Sequence, residues 1–327
     1  MNKKVFFTIA AISLAVMVLL FSKHVAPTKI ATLNFPDFTV EKFIRSNDNP
    51  FVKITSIDLN EAEKSLKYDF IIVRVHGSSL NKSHLDIIKE AIEKGIPVFS
   101  TESDNDEINS IRGRELEYLS TLMDNGSSRN YASFFNYIRK NIDKKKLFNG
   151  AYKEPVIIPS DYFFRVEDDL FFADYEEYQR YYEASGKYKA DAPRIVFLSG
   201  NINVQNSNEE HIASIINTLE DKGLNVYPIH SFGPKKLQMI KSISPDIIIN
   251  NPHGRLVMGG GESGVELLQE LNVPILSPIT VSELYDNWLK SRQGMESGGM
   301  TSMSVVLPEL DGALLPFAVA APFERNG

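Results

Sequence analysis

The feature that most constrains this chain is an alternation, run through twice, of short β-branched segments with helix-forming ones. Strand-like runs fall at 29–35, 51–58, 68–75 and 96–101, with helix-like stretches at 40–46, 60–67, 82–94, 107–123 and 131–144. After residue 190 the pattern restarts. Strand-like runs then fall at 194–199, 224–230, 246–250, 273–277 and 304–307, and helices at 207–222, 234–243, 263–271 and 281–290. Such alternation predicts parallel sheets with helices on both faces. The halves also match internally: Asp69 and Asp246 each open an apolar strand, and His76-Gly77 and His253-Gly254 follow seven positions later. The next strand begins Ile96-Pro97-Val98 in one half and Val273-Pro274-Ile275 in the other, each Pro 28 positions after its Asp. Agreement at both spacings predicts an α/β protein of two flavodoxin-like, doubly wound parallel-sheet units in tandem, related by descent. In such sheets ligands bind beyond the carboxyl ends of the strands, where both His-Gly pairs fall.

These signals divide the chain into residues 1–28, a first α/β unit at 29–150, an aromatic-rich connection at 151–191 and a second α/β unit at 192–327. Lys3 and Lys4 precede an uncharged run from Val5 to Phe21 broken only by Thr8 and Ser13. No small-x-small cleavage site follows, so the run reads as an uncleaved signal anchor, a transmembrane helix. The two lysines would stay in the cytoplasm, giving a single-pass inner-membrane protein with its bulk in the periplasm. The connection holds Tyr162-Phe163-Phe164, Phe171-Phe172 and Tyr175 to Tyr182. Aromatics at this density pack against a neighbouring domain or, alternatively, stack on a large planar ligand.

A net charge of −7, with no basic stripe, argues against nucleic acid as a partner. The absence of cysteine removes disulfides, thiolate metal sites, cysteine nucleophiles and a lipoprotein anchor. What remains for chemistry is sparse. His76 and His253 are candidates for metal or haem-iron ligation or proton transfer, against the plainer reading of a hydrogen-bonded strand end. Gly259, Gly260 and Gly261 precede a helix, where free N–H groups favour a phosphate or carboxylate; a plain connection is the alternative. Glu309 and Asp311, two apart at the end of the run Val305-Val306-Leu307-Pro308, would face one way if the segment is extended. Such a pair can hold a metal or accept protons, or it can cap a neighbouring helix.

From Pro193 to Ala320 the chain resembles the large subunit of cobaltochelatase (CobN type) and the H subunit of magnesium chelatase. The matching text, in order, is Pro193 to Leu198, Leu219 to Pro228, Pro245 to Asn250, Leu271 to Leu276, the Trp288 stretch leading to Gly294, and Val305 to Gly312. A membrane anchor ahead of such a unit is similar to the CobN-like proteins associated with bacterial haem uptake. The resemblance implies a very large subunit that binds a tetrapyrrole (haem, another porphyrin or a corrin) and exchanges a divalent metal. It also implies ATPase partner subunits and a remainder of the subunit beyond this chain. By the resemblance Glu309 and Asp311 are the acidic pair near the metal, and His253 a further contributor. Because the family continues for many hundreds of residues, the chain reads as its N-terminal part, inactive alone. An exported domain has no ATP supply, which favours gripping haem and exchanging its iron over ATP-driven insertion. The competing classes are a membrane-anchored, non-enzymatic α/β binding module and a nucleotide-sugar transferase with two doubly wound domains.

Overall fold

The computed structural model describes residues 21, 23–75, 80–101, 107–167, 169–199, 209–232, 235–252, 254–257, 261–281, 283–291, 294–295, 298–314 and 317–322. The chain divides into two compact units, Met1–Ile157 and Ile158–Gly327.

In the first unit the elements run β1 (Thr28–Leu33), α1 (Asp37–Ser46), β2 (Val52–Ile57), a 3₁₀ segment (Leu59–Lys67), β3 (Phe70–Arg74), α2 (Lys82–Glu93), β4 (Val98–Thr101), α3 (Gly113–Asp124) and α4 (Ser128–Tyr137). The sheet order is β2-β1-β3-β4, and every pairing is parallel. Successive side chains of a strand point to opposite faces, and both faces are covered. Ile30, Phe70, Ile72 and Phe99 pack with Phe43, Leu119, Phe134 and Phe135 from α1, α3 and α4. Ala31, Leu33, Ile71, Val73 and Val98 pack with Ala62, Ile88 and Ala91 on the other side. This is why the strands read as near-continuous apolar runs rather than as alternating ones. After α4 the chain widens into a π segment, Ile138–Ile142, which places Arg139 in the interior, fully buried. Its guanidinium donates to the carbonyls of Ala26, Phe51, Leu147 and Phe148 and to Thr28 Oγ1 at 2.8–3.1 Å.

The second unit opens with β5 (Tyr162–Arg165), β6 (Leu170–Phe172) and α5 (Tyr175–Ala184). It continues with β7 (Arg194–Leu198), α6 (Glu210–Asp221), β8 (Asn225–His230), α7 (Lys235–Ile243), β9 (Ile247–Asn250), α8 (Gly261–Leu271) and β10 (Ile275–Leu276). The sheet order is β10-β9-β7-β8-β5-β6. Taken alone, the parallel strands β8-β7-β9-β10 repeat the first unit's order, second-first-third-fourth in chain sequence. The repeat extends to single hydrogen bonds. Asp69 Oδ2 accepts from Lys29 N and Asp246 Oδ2 from Arg194 N, both at 2.8 Å. Ile71 N donates to Pro97 O and Ile248 N to Pro274 O, both at 3.0 Å. The matched Asp and Pro positions are therefore strand-entry devices on the amino-terminal edge of each sheet.

Two expectations are corrected. The aromatic stretch expected to connect the units at 151–191 lies largely within the second one. β5 pairs antiparallel with β8 and with β6, and so continues the sheet. Tyr178 and Tyr182 are fully buried in this unit's own core beside Phe163, Tyr227 and Ile229. The aromatic density thus covers one sheet face with a helix, α5, that leads from the β5–β6 hairpin into β7. The second correction concerns 304–307. Instead of a strand, Gly299–Thr301, Ser302–Val306 and Leu307–Glu309 form a continuous helical run whose middle segment is π-helical. An apolar run this short does not distinguish strand from buried helix. The expected anchor falls mainly on residues 1–20 and 22, outside the described residues. Among the described residues no helix is long and apolar enough to cross a membrane.

The amino-terminal edge of the second sheet carries a buried ion pair. Arg165 Nη2 lies 2.5 Å from Glu220 Oε1, Lys187 lies 3.1 Å from Oε2, and the Arg165 guanidinium sits 4.6 Å from the Tyr182 ring centre. Burial works against the charged form of Glu220. Arg165, with help from Tyr182 and Lys187, outweighs it and holds the carboxyl below its ordinary range. A depressed carboxyl pKa contributes stability above the unfolded value, and that contribution disappears as pH falls through the folded value. Glu220→Leu is therefore expected to cost about 2–3 kcal/mol at neutral pH and progressively less below pH ~4. Because Arg165 Nε and Nη1 have no partner, Arg165→Met in the Glu220→Leu background should restore most of the loss. Urea unfolding of the two single variants and the double variant reads this out.

Candidate functional site

The carboxyl ends of β7, β8 and β9 meet at one edge of the second sheet, and the chain places buried polar groups there. Ser199 follows β7, His230 and Ser231 end β8, Asn250 and Asn251 end β9, and Ser277 follows β10; each is less than one-tenth exposed. Ser199 Oγ lies 2.8 Å from His230 Nδ1. Tyr162 stacks on the imidazole at 4.9 Å between ring centres, and Phe232 meets it edge-on. Burial pushes the His230 pKa down to about 4 against the opposing charge of Asp161. The ring is thus neutral at physiological pH. Asp161 accepts from Ser231 and from Ser160.

The segment after β9 builds a second cluster on the same edge. Gly254 (φ 94°) turns the chain, receives Asn250 Nδ2 on its carbonyl at 3.3 Å, and donates its N–H to Met303 O at 2.7 Å. Arg255 then reaches Asp311: Nε and Nη2 lie 2.8 and 2.6 Å from Oδ1. Oδ2 accepts from Val257 N at 3.3 Å. The Asp311 side chain is only 1% exposed, whereas Arg255 keeps a third of its surface. Lys236 stands close by, its pKa lowered by burial and raised in part by Asp311.

The Pro308-to-Gly312 string is a helix end. Ala313 N donates to Pro308 O at 3.1 Å and Gly312 N to Glu309 O at 3.0 Å, the two bonds of a Schellman closure. Gly312 takes the left-handed conformation this needs (φ 77°), and Ala313 is buried in the core. Pro308 is tolerated because it lies in the first turn after the π segment, where the regular hydrogen-bond ladder is already interrupted. Leu314 then returns beside β10, its N–H bonding Ile275 O at 2.8 Å. Farther on, β12 (Ala318–Ala320) pairs in parallel with β11 (Ile279–Thr280). The apolar stretch Ala318–Ala320 is thus held by backbone bonds, although Phe317 stays half-exposed.

The sequence-predicted site residues separate accordingly. Glu309 is exposed and Asp311 buried, so the expected pair of carboxylates facing one side is corrected by the helical geometry. His76, His253, Gly259 and Gly260 lie outside the described residues. Gly261 opens α8. Gly264, in that helix's first turn, is explained by packing, since a Cβ there would come within 2.8 Å of Val257 Cβ. Among the described residues no group of three or more His, Asp or Glu side chains is arranged to hold a metal ion. Sequence reasoning missed Arg255, His230 and Ser199. A signal was available: Ser199 follows β7, His230 ends β8 and Arg255 lies in the loop after β9, all on the carboxyl side, where such sheets bind ligands. A cavity of about 300 Å³ in the first unit, lined by Pro97, Ile111, Glu115 and Lys144 among others, touches none of the predicted residues.

Parallel-sheet α/β units with polar groups gathered at the strands' carboxyl ends define the general class of ligand-handling α/β proteins. A model of the CobN/Magnesium Chelatase family matches residues 118–326, well over half of the chain, and the chain belongs to that family. It is 25% identical over 195 residues to the magnesium-chelatase subunit ChlH of Oryza sativa subsp. indica, covering 54% of this chain and 14% of that protein. It is 28% identical over 144 residues to an uncharacterized protein of Methanocaldococcus jannaschii, covering 37% and 12% respectively. The catalytic subunit of cobaltochelatase from Mycobacterium tuberculosis shares the fold over 90% of this chain, with a TM-score of 0.62 at 15% identity; the match covers 24% of that subunit. The chain therefore spans only a minor part of the length of these relatives.

Proposed function

We propose that this chain supplies the tetrapyrrole-gripping part of a chelatase-type subunit: it binds haem or another porphyrin or corrin and assists insertion or removal of the central divalent metal. The observation that carries this reading is the family match, whose span includes every strand of the second unit and both members of the Arg255–Asp311 pair. Arg255 holds the helix end in place through Asp311, and exposed Glu309 is the carboxylate that this reading assigns to passing the metal ion. The two units are in this reading flavodoxin-like, doubly wound relatives. Residues 1–28 anchor the chain in the inner membrane with its bulk in the periplasm. The rest of a chelatase subunit completes the site, and ATPase subunits act only where ATP reaches them.

Titration of the full-length chain in detergent with haem, a metal-free porphyrin and a corrin tests the reading. A saturable shift of the ligand's absorption band with at least one of them is expected, and no shift with any overturns it. Because Glu309 is exposed, Glu309→Gln should leave the unfolding midpoint unchanged. It should slow metal exchange on the bound ring at least tenfold, read by the same bands in the presence of the partner region.

A further inference from the structure

The chain enters the first unit at the amino-terminal edge of its sheet, through a short, fixed connection. Residues 23–25 are helical, and only Ala26 and Pro27 separate them from β1. From the interior, Arg139 donates to the carbonyls of His24 and Ala26 at 3.5 and 3.0 Å. The same guanidinium donates to the carbonyls of Leu147 and Phe148 at 2.8 and 3.0 Å. One buried cation therefore ties the loop 143–148 to the point where the uncharged run Val5 to Phe21 delivers the chain.

The loop sorts its side chains. Lys145 turns inward, with Nζ 3.5 Å from Asp143 Oδ2, which also accepts from Thr28 Oγ1. Lys144 and Lys146 on either side are exposed and, like exposed Lys23, form no ion pair among the described residues. Phe148 is held at φ 56°, a left-handed conformation that a bulky side chain rarely takes. Its ring stacks on Phe51 at 4.4 Å, yet the residue stays 54% exposed. Phe21, just ahead of the connection, is 60% exposed. Asp48, a further carboxylate bonded into this edge, is engaged by Asn136. The edge thus offers two exposed aromatic rings and three ammonium groups that no carboxylate neutralises.

We propose that this edge lies against an anionic bilayer, with Lys23, Lys144 and Lys146 meeting the phosphate headgroups and the Phe148 ring entering the interface. The inference rests on the membrane-anchor part of the reading given above and is independent of tetrapyrrole binding. Three helical residues and two extended ones reach at most ~12 Å. The headgroup layer plus one Debye length is about 15 Å. With the run before Ser22 in the bilayer, the edge therefore cannot stand clear of the charged surface. Anionic headgroups attract the free lysines, and apolar area draws the neighbouring ring into the interface.

The test reconstitutes the full-length chain in vesicles of equal parts phosphatidylglycerol and phosphatidylcholine. The chain has a single tryptophan, so Phe148→Trp in a Trp288→Phe background makes the loop the sole indole emitter. Lipids brominated on their acyl chains are expected to quench it at least twofold. Lys144→Glu with Lys146→Glu, or vesicles of phosphatidylcholine alone, should remove at least half of that quenching. Because the chain has no cysteine, Lys146→Cys carrying a polarity-sensitive dye serves if Phe148→Trp misfolds. Its emission should move to the blue between phosphatidylcholine and the anionic vesicles, and an unmoved band overturns the proposal. Emission at position 148 that lipid does not quench, in a chain that floats with the vesicles, overturns this inference and leaves the anchor standing; solvent or a protein surface then faces the loop. Quenching indifferent to both charge reversal and lipid charge overturns it too, because headgroups are then not what the lysines meet. A chain that does not float with the vesicles overturns the anchor reading and this inference with it.

Discussion

Arg139→Leu is expected to lower the stability of the chain by about 3–5 kcal/mol, the scale of removing one member of a buried charged network. The guanidinium is fully buried and serves four carbonyls and a hydroxyl drawn from three separate stretches: 26–28, Phe51, and 147–148. Leucine would fill some of the space but take the guanidinium donor from the carbonyls of Ala26 and Leu147, at a cost of about 1–3 kcal/mol each less whatever water recovers, while Phe51 O and Phe148 O keep Thr28 N and Asn49 Nδ2. Arg139→Lys should rescue little, since an ammonium is a point donor and cannot span the fork of partners. Phe51, whose ring stacks on Phe148 at 4.4 Å under the same guanidinium, would lose its cationic neighbour as well. Equilibrium urea unfolding measures the loss. A change under 1 kcal/mol would show that the network does not hold these stretches together.

Asp311→Asn comes next, with an expected loss of about 2–4 kcal/mol, because it strands Arg255 without its carboxylate and weakens the tie to Val257 N. The substitution is nearly isosteric, so the loss reports charge and hydrogen bonding rather than a cavity. Arg255→Ala should cost less, as its side chain is one-third exposed, and the nearby Lys236 still offers a positive charge. This asymmetry matters for reading activity. A loss of metal exchange in Asp311→Asn is uninformative unless folding is measured alongside, whereas the same loss in Glu309→Gln points to the carboxylate itself. Differential scanning calorimetry of the three variants separates the cases.

How much of this was legible in the sequence depends on the range of the interaction. The parallel strands and their helices were readable because each is a local apolar run, and the paired spacings of Asp69 with Pro97 and Asp246 with Pro274 correspond to the same strand-entry bonds in both units. The β5–β6 hairpin was not. Its strands are four and three residues long, and their aromatic text is equally at home in a helix. The 304–307 strand failed for the same reason, while the punctuation that could have corrected it, Gly298-Gly299 before the run and Gly312 with a buried Ala313 after it, is that of a helix. The site depended on long-range pairing. Arg255 and Asp311 are 56 positions apart and Ser199 and His230 are 31 apart, distances over which composition and periodicity carry no information. Glu309 and Asp311, singled out as one pair, part because the segment is helical: Glu309 is exposed, and Asp311 is buried against Arg255.

The π segment Ser302–Val306 sets an angular phase. A π turn is an α-helix holding one surplus residue, and each residue advances an α-helix by about 100°. Excising a single residue between Met303 and Val306 should therefore be absorbed: the bulge tightens to a regular α turn, and Pro308, Glu309 and the Schellman turn keep their phase, with Asp311 still on Arg255. The same excision in Leu307–Glu309 has no surplus to draw on and would turn the acidic string by about 100° about the axis.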